Sequence, residues 1–229
     1  MIPDPVDLAE QVSQTNGFQD LAPPLQVALF LGGMVLISTA LVMLTSFTRI
    51  VIVLSFVRRA LTTQEIPPTP VLIGLSLFLT VFVMGPTFHN INQNAIEPFL
   101  KEEGGISAKV AWQLGANEFH HFMRKQTRKN DLALFIHMSG IRTPETPEDT
   151  PLRVLIPAFV ISELKTAFIM GFCIYIPFLL IDLVVSTILM AMGMMMMPPV
   201  VISTPLKILL FVLVDGWHLI SRALTASFA

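Results

Sequence analysis

Charged residues are scarce in this chain. Of its 229 residues, 13% are Asp, Glu, Lys or Arg, whereas 53% are hydrophobic and the mean hydropathy is +0.71. Soluble domains carry about 25% charged residues, so this composition excludes an ordinary soluble domain and points to a membrane protein. The few charges nearly cancel, at a formal net charge of −2, which leaves no basic excess to hold nucleic acid. There is one cysteine, Cys173, so an intrachain disulfide is excluded. Set in an apolar segment, it reads as a small buried hydrophobe.

Catalytic and metal-binding patterns are missing too. His120, His121 and His137 fall in the polar middle of the chain, but no HExxH spacing, CxxC pair or acidic cluster completes a metal site. No GxSxG elbow, Walker A loop or GxGxxG is present. Nothing therefore argues for an enzyme, a metal or a cofactor. Residues 1–20 hold Asp4, Asp7, Glu10 and Asp20 without Lys, Arg or an apolar core, which is not the pattern of a signal peptide. Either processing has preceded this form, or the chain inserts through its first hydrophobic segment. No internal repeat and no low-complexity tract is found.

What is present is a set of apolar stretches. The first is uncharged from Leu21 to Thr48, with Pro23-Pro24 placing its helical start near Leu25; about 20 residues suffice to cross a bilayer. Arg49 interrupts it, and Ile50 to Val57 continue to Arg58-Arg59. The second follows Pro67, Pro68 and Pro70 and runs from Val71 to about Gly85-Pro86. From His89 to Arg153 the chain turns polar. Asn117 to Lys129 reads there as an amphipathic helix with Phe119, Phe122 and Met123 at helical spacing, and Thr143 to Pro151 as an acidic, proline-rich linker. The third stretch, Val154–Ile181, and the fourth, Leu183–Leu206, are separated only by Asp182. That leaves one long helix kinked at Pro177, or a tight hairpin. Lys207 to Ser227 reads as a shorter amphipathic helix.

The expected fold is therefore all-α, an integral membrane protein of kinked helical hairpins with a small polar helical domain inserted. Its divisions are a polar tail (1–24), a first apolar helical pair (25–88), a polar helical domain with linker (89–153) and a second apolar hairpin with a last helix (154–229). The acidic tail and the basic Arg58–Glu65 loop place that loop in the cytoplasm by the positive-inside bias, and hence the 89–153 domain outside.

Arg49, Glu163, Lys165, Asp182, Lys207 and Asp215 lie in or against apolar stretches, where an ionisable side chain is expensive unless it is paired or faces water. Glu163 and Lys207 stand out as isolated opposite charges on segments flanking a methionine run. A salt bridge between them, within or between subunits, would neutralise both; snorkelling to an interface is the alternative. The remaining four are candidate structural charges. The run itself comprises Met190, Met192 and Met194, Met195, Met196, Met197, closed by Pro198-Pro199. Methionine is unbranched and soft, and the prolines end the helix at or before Met197. The run suits either apolar packing or a deformable seal on a loop edge.

The stretch Pro157–Phe172, centred on Ser162-Glu163-Leu164-Lys165, resembles the signature of the FliP family, export-gate proteins of flagellar type III secretion with virulence counterparts in the SctR branch. Further similarity lies in Thr45–Ile50 with Arg58–Leu61, Pro177–Val185, Met190–Pro199 and Phe211–Trp217. Ile169 departs from the family pattern, and Asp215-Gly216-Trp217-His218-Leu219 looks flagellar rather than virulence-type. The resemblance implies a homo-oligomer of about five copies that assembles with FliQ-like and FliR-like subunits into a helical cone. It also implies FlhA-like and FlhB-like export components, unfolded export substrates and membrane lipids as partners. The cone would sit in the bacterial inner membrane at the flagellar basal body, protruding to the periplasmic side. Met194 to Met197 would form the gasket of the closed pore, and Glu163 and Lys207 would lie in segments packed between subunits. The equivalent subunit of a virulence injectisome, a small solute or ion channel, and a membrane enzyme are the competing readings.

Overall fold

The computed structural model describes residues 22–62, 66–101, 105–141, 144, 149–194 and 197–228. Most of these residues are helical, and no strand is found among them. The helices are α1 (Pro23–Met43), α2 (Phe47–Ala60), α3 (Thr69–Ile91), α4 (Glu97–Leu100), α5 (Ala108–Gln126), α6 (Lys129–Ser139), α7 (Leu152–Ala191), α8 (Pro199–Leu213) and α9 (Gly216–Ala226), with a π-helical turn, Asn92–Ile96, joining α3 to α4.

Local chemistry sets these limits. Prolines stand in the first turn of α1, α3 and α8, where the missing N–H has no intrahelical partner to lose. The Ser107 side chain accepts from Val110 N–H and caps α5, while Gly140 at φ 64° closes α6 in the left-handed region that glycine enters freely. The amphipathic helix expected at Asn117–Lys129 begins earlier and stops at Gln126, because Thr127 and Arg128 are extended. Phe122 and Met123 are buried on it as the spacing requires. Most of the Thr143–Pro151 linker lies outside the described residues.

The choice left open at Asp182 resolves in favour of one helix. α7 is continuous over 40 residues and runs through Pro157 and Pro177. Lys207 does not begin a last helix, as its charge suggested, but lies inside α8. The break comes later, at Val214–Asp215, and α8 and α9 are bent by 64° across it. Cys173, expected in the core, is exposed on α7.

α3 with its continuation (Thr69–Leu100, 32 residues) and α7 are long and apolar enough to cross a membrane; α8 and α9 make a third crossing if the bent pair is one span.

The chain divides into two compact units. In the first, residues 1–45 and 84–159, the core gathers Met84, Ala95, Phe122, Met123, Val154, Leu155, Ala158 and Phe159, with Phe122 edge-on to Phe159 at 6.0 Å. An apolar cavity of about 640 Å³ opens beside the π-turn, lined by Ile91, Ala95, Phe99, Trp112, Phe119 and neighbours. Glu118, in the middle of α5, ties that helix to the end of α3 and to the π-turn by accepting from the Asn90 and Asn94 amides at 3.3 and 3.2 Å. In the second unit, residues 46–83 and 160–229, Ile50, Val53, Leu54 and Val57 of α2 are fully buried. Their spacing gives one stripe along the helix. Gly171 is required where α7 meets α2: a Cβ there would stand 2.5 Å from the Phe56 ring.

Candidate functional site

Four ionisable residues of the second unit form two ion pairs, one buried and one part-buried, with Asp182 33% exposed. Arg49, in the first turn of α2, is 2% exposed and Glu163 of α7 is fully buried. The guanidinium forks onto the carboxylate: Nε donates to Oε2 at 2.9 Å and Nη2 to Oε1. Nη1 turns the other way, donating to the Ser227 carbonyl oxygen at 2.9 Å and to Ser227 Oγ at 3.0 Å. The Phe228 ring lies 3.8 Å from the guanidinium carbon, a cation–π contact. A planar five-donor group can meet all of these at once; an ammonium could not.

The second bridge joins α7 to α8. Lys207, 1% exposed, donates from Nζ to Asp182 Oδ2 at 2.5 Å. Beside it on α8, Thr204 and Thr62 share a hydroxyl contact of 2.9 Å. Glu163 and Lys207, expected as a pair, therefore each hold a different partner within the chain. Sequence position alone could not reveal this, because pairing depends on which helices pack and in what register. The signal was present in part, since Arg49 and Asp182 are themselves lone charges in apolar stretches. Nothing in the sequence marked Ser227 and Phe228.

The other two charges stand elsewhere. Lys165 is exposed on α7. Asp215 occupies the bend before α9 with φ 50°, and its side chain makes no capping bond.

The described methionines of the run stand at the end of α7 (Met190), just after it (Met192, Met194) and shortly before α8 (Met197). Gly193 at φ 77° terminates the helix: its N–H donates to Met190 O and the Met194 N–H to Leu189 O, both at 3.0 Å. These are the paired bonds of a Schellman cap. Pro198 is extended, and Pro199 begins α8. Met190, Met192, Met194 and Met197 are all exposed, Met192 at 68%. Met195 and Met196 lie outside the described residues. Among the described residues no group of His, Cys, Asp and Glu is placed to hold a metal ion.

Long apolar helices, charges buried as internal pairs and a capped apolar turn define a class: an all-helical membrane protein. Comparison with known sequences narrows it. The FliP family model matches residues 30–224. The flagellar biosynthetic protein FliP of Bacillus subtilis is 56% identical over 188 residues, covering 82% of this chain and 84% of that protein. Its counterpart in Pectobacterium carotovorum is 51% identical over 213 residues (93% and 82%), and that of Aquifex aeolicus 45% identical over 214 (93% and 89%). The chain belongs to the FliP family, and is a membrane component of flagellar biosynthesis and protein export.

Proposed function

We propose that this chain is a core pore-forming subunit of the flagellar protein export gate. Several copies enclose a channel that conducts unfolded flagellar proteins, and the Met190–Pro199 turn seals it. The observation that carries this reading is the turn itself: a capped, exposed loop of soft apolar side chains at the junction of α7 and α8. A lone soluble loop gains nothing from such exposure. A ring of such loops blocks water and ions by dewetting, and flexible thioethers can repack around an entering polypeptide. In this reading the helices form kinked hairpins in a helical cone of about five copies, together with FliQ-like and FliR-like subunits and beside FlhA-like and FlhB-like components. The cone rises from the inner membrane toward the periplasm, with residues 89–153 on that side. A Glu163–Lys207 contact between subunits would have to replace the two bridges each chain makes for itself.

The test shortens the methionines. Replacing Met194, Met195 and Met196 with alanine is expected to leave the complex assembled while the membrane leaks ions and small molecules; leucine at the same positions should keep the seal and slow export. Conductance and complex yield are measured on the same variant. An assembled alanine complex with no added leak overturns the gasket, and a loss of yield before any leak identifies the methionines as plain packing.

A further inference from the structure

The bend between α8 and α9 and the exposed face of α9 carry charges that no described residue of the chain pairs. Arg222 is exposed on α9, and neither its guanidinium nor the His218 ring one turn earlier makes a hydrogen bond or ion pair among the described residues. Asp215 is likewise unpaired, at the bend. Asp215 and Arg222 cannot serve each other. They lie two helical turns apart, about 10 Å along the axis, whereas side chains on a helix meet at one turn. Around both, the surface is apolar: Leu213 is 74% exposed, and Val212, Val214 and Leu219 are exposed as well. Single charges in such surroundings are expensive unless a partner meets them.

The shape beside Arg222 supplies the complement. His218, Ser221, Arg222 and Thr225 form one wall of an open groove of about 540 Å³ whose other wall is Leu79 and Phe82 of α3, the latter 73% exposed. The groove thus has an apolar side and a side carrying a guanidinium, an imidazole and hydroxyls. The bend Leu213-Val214-Asp215 is its counterpart, two exposed apolar side chains followed by a carboxylate.

Resting on the reading of the chain as one of several copies, we infer that the Leu213–Asp215 bend of one copy seats in the Leu79/Phe82/Arg222 groove of a second copy, where Asp215 accepts from the Arg222 guanidinium. One repeated contact then pairs the two orphan charges at each junction between neighbouring copies and covers the apolar residues beside them. A different acidic protein on Arg222 would leave Asp215 to be met separately.

The experiment uses the full chain, co-expressed with its partner subunits and purified in mild detergent, with Cys173→Ser as background. Two differently tagged forms, Asp215→Cys and Arg222→Cys, are mixed in one assembly and treated with a short bismaleimide, since an Asp–Arg contact holds the Cβ atoms too far apart for a disulfide. A cross-link joining the two tags is expected. Separately, Arg222→Asp should lower the assembled fraction about tenfold or more, and Asp215→Arg combined with Arg222→Asp should recover much of it. An intact oligomer with no cross-link and full tolerance of Arg222→Asp overturns the contact while leaving the oligomeric gate standing. An unmodified chain that is only monomeric overturns both. Loss of a co-purified anionic phospholipid in Arg222→Gln, without any cross-link, assigns the groove to lipid and overturns the contact between copies.

Discussion

Removing the Arg49 guanidinium would leave Glu163 as a buried carboxylate without its counter-ion. Such stranding costs about 3–5 kcal/mol, whereas an intact buried pair adds little net stability over apolar residues of similar volume. Arg49→Met is therefore expected to destabilise the protein by that amount, and Arg49→Met with Glu163→Leu by distinctly less. Arg49→Lys should fall between, because it keeps the charge but loses the fork and the bonds to Ser227. Unfolding in detergent, followed across the four proteins, checks the order; an Arg49→Met variant as stable as the parent would show that the bridge carries no cost of separation. The same geometry explains how Ser227 and Phe228 are held. Ser227 and Phe228 meet one guanidinium by two hydrogen bonds and a ring face, so the end of α9 depends on a residue in the first turn of α2.

At the scale of the helix, the bend at Val214–Asp215 is the element that sequence reading misplaced. Lys207 looked like a boundary because a charge in an apolar run reads as an end. Once Asp182 neutralises it, the helix has no reason to stop there. The actual stop is conformational: Asp215 adopts φ 50°, a region that costs an L-residue roughly 1–2 kcal/mol and glycine nothing. Gly216 follows because a side chain there would run into the Phe211 ring. Asp215→Gly should thus keep or raise the stability of the single chain by about 1 kcal/mol while weakening assembly, and Asp215→Val should lower stability. Melting in detergent measures the first effect and native mass spectrometry the second. Equal stability of the Gly and Val variants would remove the backbone argument. Much else at this scale was legible. Long uncharged runs bounded by proline specify helices, and the Phe122 and Met123 spacing specified which face is buried. The continuity of α7 was one of two alternatives, since proline weakens a helix by one bond without obliging it to turn. The cap at Gly193 was hidden because it depends on backbone dihedrals rather than on residue type alone.

Across the whole molecule, the charges that sequence could single out but not pair offer the sharpest test of how assembly is organised. Within one chain the bridges are Arg49–Glu163 and Lys207–Asp182; the alternative pairing, expected from the sequence, is Glu163–Lys207 between subunits. The two arrangements compete for the same carboxylate and the same ammonium, so exchange variants separate them. Reversing any one of the four charges places like charges together in a poorly solvated site, and each single variant should assemble badly. If the intrachain bridges persist in the assembly, Arg49→Glu with Glu163→Arg should recover part of the loss, and Asp182→Lys with Lys207→Asp likewise. Glu163→Lys with Lys207→Glu should then be no better than its worse single variant, because it leaves two mismatched bridges instead of one. Recovery in that last variant alone would mean that the bridges of the single chain open on assembly and exchange partners across the subunit boundary. Native mass spectrometry of the co-expressed complex reads each case directly as the fraction of chain recovered in the oligomer.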